Sequence, residues 1–305
     1  MLRHAGSYMG RRMGVTVRHR ISLAGAVCVV TGGGSGIGRA SARRLAREGA
    51  HVYVCDLDGQ TAESVAGAIR ADGGRAEHRA IDVCDDERVE SLAQEVHDRH
   101  GAIDVLLNNA GIGHAGAVQH TTADDWCRVI DINLLGVAHG CHAFAPFMIE
   151  QERPAVIINT ASQAGLVPVA RMAPYVASKF GVVGLSLALN AELAPQGVRV
   201  VALCPGVVDT GIIAATTLSG VDEGVRESAQ TFYSDRGVSA DRVAEDVVRA
   251  VSRPRLVVHS PSSQVLAPAL LQRLSPSLMQ HFSRLAPRVI GLDPSTSRHG
   301  SKDPA

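Results

Sequence analysis

From residue 25 onward the chain alternates short apolar runs with amphipathic stretches, and this alternation restricts the fold more than any other feature. The runs AVCVVTG (26–32), HVYVCD (51–56), RAEHRAIDV (75–83), IDVLLNNAG (103–111), AVIINTAS (155–162), VRVVALCPG (198–206) and RLVVHS (255–260) read as strands. Between them lie helical stretches such as GRASARRLAREG and DERVESLAQEVHDRHG, a long helix over about 122–150, and one that holds PYVASKFG (174–181). Strands that are apolar on both faces must be covered on both faces, which calls for a parallel sheet between two helix layers. Right-handed crossovers then predict a doubly wound, Rossmann-like α/β sheet whose ligand sits outside the carboxyl ends of the strands. The residues just after each strand are where function is expected.

Composition narrows the partners. Lys plus Arg and Asp plus Glu both total 30, so no net field draws nucleic acid, and 3% aromatics offer few stacking platforms. The six cysteines are scattered through apolar segments with no C-x-x-C and no Cys/His cluster in sequence, so no metal site is expected and a reducing compartment is. With no run of 18 apolar residues and no signal-peptide pattern, the expectation is a soluble, cytoplasmic protein. Residues 1–21 carry Arg3, Arg11, Arg12, Arg18 and Arg20 without an acid and read as a flexible basic arm, with Met9 or Met13 as later starts. Residues 22–262 read as one domain, and 263–305 as an amphipathic helical extension with a disordered tail.

TGGGSGIG (31–38) follows the first strand and opens a helix. Glycines at 32, 36 and 38, with Ser35 and Ile37 between them, let a diphosphate approach the backbone at a helix N-terminus, so this segment is a candidate dinucleotide site. Asp56 ends the second strand, 18 residues past Gly38, where a carboxylate accepts hydrogen bonds from ribose hydroxyls and repels a 2′-phosphate; NAD is favoured over NADP. Asp82 and Val83, after the third strand, are candidates for the adenine edge. Tyr175 and Lys179 are four apart on one helix, so their Cβ atoms lie about 5–6 Å apart on one face.

Together TGGGSGIG, NNAG (108–111), Asn133, Ser162, Tyr175, Lys179 and PG (205–206) resemble the short-chain dehydrogenase/reductase family over about residues 22–260. The resemblance implies hydride transfer between a nicotinamide dinucleotide and an alcohol or ketone, with Tyr175 as acid/base, Lys179 tuning it and binding ribose, and Ser162 holding the substrate oxygen. It assigns Asn133 to a water-mediated proton path, makes Asn108 structural, and places Asn109, Ala110 and Gly111 along the cofactor. Pro205, Gly206, Val208 and Thr210 fall at the nicotinamide amide. The family's habit suggests a homodimer or homotetramer. A free tyrosine titrates near 10. A cation at ~4 Å in an effective dielectric of ~20 contributes about 4 kcal/mol, enough to lower that pKa by roughly 3, so the lysine is expected to dominate.

Residues about 209–237 are expected to form a lid, in which Ile212, Ile213, Leu218, Phe232 and Tyr233 suggest an apolar ligand. Leu270, Leu271, Leu274, Leu278, Phe282, Leu285 and Val289 form an apolar helical stripe broken by Pro276 and Pro287, without an acid between Asp246 and Asp293. Capping the pocket or packing on another subunit is preferred for this segment over contact with an anionic membrane surface. The expected function is an NAD-dependent oxidoreductase for a secondary alcohol or ketone. An NADPH-dependent carbonyl or 3-oxoacyl reductase is the alternative within the family, and a non-catalytic dinucleotide sensor or scaffold the alternative outside it.

Overall fold

The apolar runs become seven strands: β1 (Val27–Thr31), β2 (His51–Asp56), β3 (Arg75–Ala80), β4 (Val105–Asn108), β5 (Ala155–Thr160), β6 (Val198–Pro205) and β7 (Val257–Ser260). The structure is a computed structural model that describes residues 21–213, 215–220, 223–290 and 292. The expected basic arm (Ile21 apart) and the expected disordered tail lie outside the described residues.

All seven strands pair in parallel in the order β7-β6-β5-β4-β1-β2-β3. The chain winds outward from β1 to β3, then returns to β4 on the other side of β1. That reversal opens a crevice beyond the carboxyl ends of β1 and β4.

Neighbouring residues on the central strands point to opposite layers. Val29, Leu106 and Ile157 enter one core with Phe144, Met148 and Val182, whereas Val30, Leu107 and Ile158 enter the other with Leu45, Val54 and Val247. Helices α3 (Asp86–His100), α4 (Ala123–Glu150) and α5 (Ala173–Leu193) cover the first face; α1 (Gly36–Arg47), α2 (Gly59–Ala71) and α7 (Ala240–Ser252) cover the second. Each fully buried aliphatic or aromatic side chain contributes about 1.5–3 kcal/mol, so the two-sided burial of the strands fixes this layering. By length and composition, Ala123–Glu150 and Ala173–Gln196 could cross a bilayer, yet Phe144, Met148 and Val182 on them pack into the first core.

Local signals set the helix ends. Asp58 accepts from the backbone N–H groups of Gln60 and Thr61 at the start of α2, and Thr122 and Asp125 close a capping box on α4. Gly101, at φ 68°, terminates α3 in the left-handed region. The remaining helices are α6 (Glu223–Arg236), α8 (Ser262–Leu274) and α9 (Pro276–Val289).

The strands are shorter than most of the apolar runs suggested, and the difference matters after β3 and β4. Ile81–Val83 and Asn109–Gly111 leave the sheet and line the crevice instead. The expected lid is anchored at two points: Thr217–Ser219 pairs with His114–Gly116, and Val208–Asp209 pairs with Val238–Ser239. Ile213, Val225 and Ala229 bury against Ala115 and Leu292. At the opposite end of the sheet, ligand-capable atoms of His51, Glu77 and His100 lie within 4.8 Å of one another, a cluster that sequence spacing does not reveal.

Candidate active site

The Gly-rich turn is packed too tightly for side chains. Gly32 has φ 60°, and a Cβ there would stand 2.8 Å from the Ala110 Cα. Asn109 ties the turn to the end of β4. Its backbone N–H donates to Thr31 Oγ1 at 3.0 Å, and its Nδ2 donates to the carbonyls of Thr31 and Gly32 at 3.2 and 3.1 Å. Asp56 holds the loop from β2, its Oδ2 accepting the Gly34 N–H at 2.9 Å. Ser35, before α1, makes no side-chain cap, and the first turn of α1 carries no acid. The helix N-terminus therefore keeps its positive end and backbone donors for an anion.

A cleft of about 480 Å³ runs from this turn across the strand ends. Gly32, Ser35, Gly36, Ile37 and Asp56 line one end, and Asp82, Val83, Asn109, Ala110 and Gly111 line its length. Pro205, Gly206, Val208 and Thr210 form the facing wall, and Ser162, Tyr175 and Lys179 close the far end. Gly38 does not line it. A Cβ on Gly38 would overlap the Gly32 carbonyl, so this glycine allows α1 to sit close against β1.

Pro174 stands in the first turn of α5, which presents Tyr175 and Lys179 one turn apart. Lys179 Nζ donates to the carbonyl of Thr160, the last residue of β5, at 2.9 Å and lies 5.8 Å from the centre of the Tyr175 ring. Burial lowers the Lys179 pKa to about 8. Burial also pushes the Tyr175 phenol above its ordinary value, opposed by a hydrogen bond with Ser162. This direction is opposite to the one expected from the sequence. The ammonium points at a carbonyl, while the phenolate would lose its hydration in a buried wall. Ser162 Oγ accepts the Ala164 N–H at 3.1 Å, which fixes the hydroxyl at the mouth of β5.

Asn133 also lies off the cleft wall. It is fully buried in a π-helical turn, Asp131–Leu135, that interrupts α4. Its Oδ1 accepts the Ile112 N–H at 2.8 Å, and its Nδ2 donates to the Ile112 carbonyl at 3.0 Å and Ser178 Oγ at 3.2 Å. A Cβ on Gly111 would lie 3.1 Å from Asn133 Oδ1 and 3.4 Å from Lys179 Nζ, so Gly111 fills the gap between the two. Asn133 thus positions the Gly111–Ile112 wall beside Lys179.

One contributor escapes sequence reasoning, and another is read there only as an apolar lid residue. Gln264, on α8, accepts the Val207 N–H at 3.0 Å and props the Pro205–Val208 turn from 57 residues away. Tyr233, on α6, lines the cleft near Tyr175; burial pushes its phenol up, and the neighbouring tyrosine adds to the rise. Neither sits in a local motif. Beyond Tyr175 the wall turns apolar, with Val169, Met172, Ile212, Ile213 and Ile290.

A family model described as short chain dehydrogenase matches residues 26–219, which include the Gly-rich turn, Ser162, Tyr175 and Lys179. The chain belongs to the short-chain dehydrogenase family. Among solved members of this family, it is similar to a short-chain dehydrogenase/reductase from Burkholderia phymatum in complex with NAD. The TM-score is 0.79 and the identity 31%, over 85% of this chain and 96% of that one. It is also similar to a metagenomic short-chain oxidoreductase in complex with NADP, with a TM-score of 0.64 and 33% identity over 78% of this chain and 96% of the other. A curated short-chain dehydrogenase relative, "Probable oxidoreductase EphD" of Mycobacterium tuberculosis (strain ATCC 25618 / H37Rv), is 38% identical over 267 residues. The match takes in 86% of this chain and 45% of that protein, so the chain spans under half of that relative's length.

Proposed function

We propose that this short-chain dehydrogenase transfers a hydride between NAD and an apolar secondary alcohol or its ketone. The observation that carries the reading is the convergence of Ser162, Tyr175 and a buried Lys179 at one end of a cleft whose other end is a glycine cradle. The cradle suits a dinucleotide: Gly32, Ser35, Gly36 and Ile37 line it, and the start of α1 offers uncapped backbone donors to a diphosphate. Asp56 would accept the ribose hydroxyls and repel a 2′-phosphate, which supports NAD over NADP.

When bound, the dinucleotide supplies a two-electron acceptor or donor at its nicotinamide end. The chain's own groups do the rest. Ser162 and Tyr175 hold the substrate oxygen; the Tyr175 phenol gives its proton to that oxygen as the carbinol C–H bond forms, and the Tyr175 phenolate takes the proton back as that bond breaks. With a pKa of about 8, Lys179 is mostly charged at neutral pH and offsets charge that develops on the phenol. The raised phenol is protonated before reaction, the form needed to reduce a ketone. The apolar far wall suits a hydrocarbon substituent on the substrate.

Tyr175→Phe is expected to bind NAD with nearly unchanged affinity and to lower turnover by at least ~100-fold, the usual worth of a general acid/base. An absorbance screen for NADH formation across steroid, terpene, sugar and aliphatic alcohols supplies the substrate for the comparison. Near-normal turnover in the variant would remove the tyrosine from the mechanism. NADP binding as tight as NAD would overturn the cofactor preference.

A further inference from the structure

Helices α8 and α9 follow β7 and pack against one another at the cleft entrance. The inward face of α9 carries buried Met279, Ser283 and Pro287, and Ala286 and Ile290 reach the cleft wall. This is the capping arrangement expected from the sequence. The outward face is a different matter. On α8, Leu266, Leu270 and Leu274 recur every four residues and are 41, 49 and 83% exposed. On α9, Leu278, Phe282, Leu285 and Val289 continue at spacings of four, three and four and are 42–64% exposed. Scattered apolar residues are ordinary on a surface, but seven recurring at helical spacing on two helices that pack against one another are of the kind that marks an interaction site.

The charges beside the patch select its partner. No acid occurs between Asp246 and Asp293, whereas the exposed Arg273 and Arg284 lie beside the stripes. A symmetric contact with a second copy would set arginine against arginine, with no carboxylate on either face to compensate. An anionic lipid surface would instead receive the apolar stripe among its acyl chains and the guanidinium groups among its headgroups.

We propose that α8 and α9 dock this protein on an anionic membrane surface. Ala286 and Ile290, which follow Phe282 at four-residue spacing and line the cleft, then place the apolar end of the cleft beside the bilayer. Provided the oxidoreductase reading holds, the substrate class this favours is a membrane-dissolved lipophilic alcohol or ketone; docking itself does not depend on turnover.

The test is co-sedimentation of the full chain with vesicles of pure phosphatidylcholine or of phosphatidylcholine mixed with phosphatidylglycerol. Arg273 and Arg284 at about fivefold each predict roughly 25-fold stronger partitioning onto the anionic vesicles, weakening as salt is raised. Leu278→Glu/Phe282→Glu should lower partitioning at least tenfold while its melting temperature and NAD binding stay those of the parent, because neither residue lines the cleft. The proposal is overturned if the parent ignores anionic vesicles, or if the double variant binds them as the parent does. It is equally overturned if light scattering shows the substitutions dissolving an oligomer that itself does not bind vesicles, since a second copy then covers the face. Tyr175→Phe should dock like the parent, so a failure of the catalytic reading and a failure of docking register in separate measurements.

Discussion

At the scale of single residues, the identities of the candidate groups that line the cleft are legible and their energetics are not. Ser162, Tyr175 and Lys179 stand out because each follows a strand at a motif spacing. The direction in which Tyr175 shifts was not readable, because it depends on how completely the assembled fold buries the phenol, which no local spacing reports. The same burial makes Lys179 a liability to the fold. Its pKa falls from 10.5 to about 8, so between those values the unfolded chain binds more protons than the folded one. Stability should therefore rise with pH across that window, and below it the full cost of about 3 kcal/mol is present. Lys179→Met removes the cost but strips the Thr160 carbonyl of its donor, a loss of about 1–2 kcal/mol. Urea unfolding should show the variant about 1–2 kcal/mol more stable at pH 7, with the rise above pH 8 gone and turnover abolished. If the variant keeps that rise, the charge on Lys179 is not its source.

At the scale of elements, periodicity found every central strand and the helices between them, since those depend on burial within one segment. Features created by contact between distant segments stayed hidden. The π-helical turn around Asn133 exists because the side chain must reach Ile112 and Ser178, neither of which shares its helix. The pairing of Thr217–Ser219 with His114–Gly116 is likewise non-local. It is fastened by a polar knot: His114 Nε2 lies 3.2 Å from Ser219 Oγ, which donates to Asp125 Oδ2 at 3.0 Å. With the serine proton committed to Asp125, Nε2 must be the donor, which agrees with a buried Nδ1 that has no partner. Burial lowers the His114 pKa below 6.5, and the nearby Asp125 only partly offsets it. The folded state therefore prefers the neutral ring. Its contribution is intact above pH 6.5 and is lost as pH falls through 6.5 toward the lower folded value. Amide exchange at 217–219 should accelerate over that interval, and His114→Gln should flatten the response. Exchange in the parent that is indifferent to pH, after correction for the intrinsic rate, would break the link.

At the scale of the whole molecule, the outward-and-return winding of the chain joins fold to site. Because β2 and β3 lie on one side of β1 and β4 to β7 on the other, the carboxyl ends of β1 and β4 diverge, and both halves contribute walls to one cleft. Gly32 and Asp56 come from the first half; Ser162, Tyr175, Lys179 and Pro205 come from the second. A dinucleotide spanning this cleft would add a bridge between halves already joined by the β1–β4 ladder, the Asn109 staple and the packing of α1 on α7. Ligand that binds only the folded state stabilises it by mass action, by about 2.7 kcal/mol at a hundredfold excess over Kd. For a domain of this size each kcal/mol raises Tm by about 2–4 °C, so saturating NAD should raise it by roughly 5–10 °C. NADP at the same concentration should give a smaller rise, since Asp56 opposes its 2′-phosphate. Asp56→Ala should narrow the gap between the two without lowering the melting temperature of the ligand-free protein by more than the lost Gly34 hydrogen bond costs, about 1 kcal/mol. A melting curve that neither dinucleotide moves would mean that the halves are not bridged, and the glycine cradle would then be a packing solution for α1 against β1 with no ligand to serve.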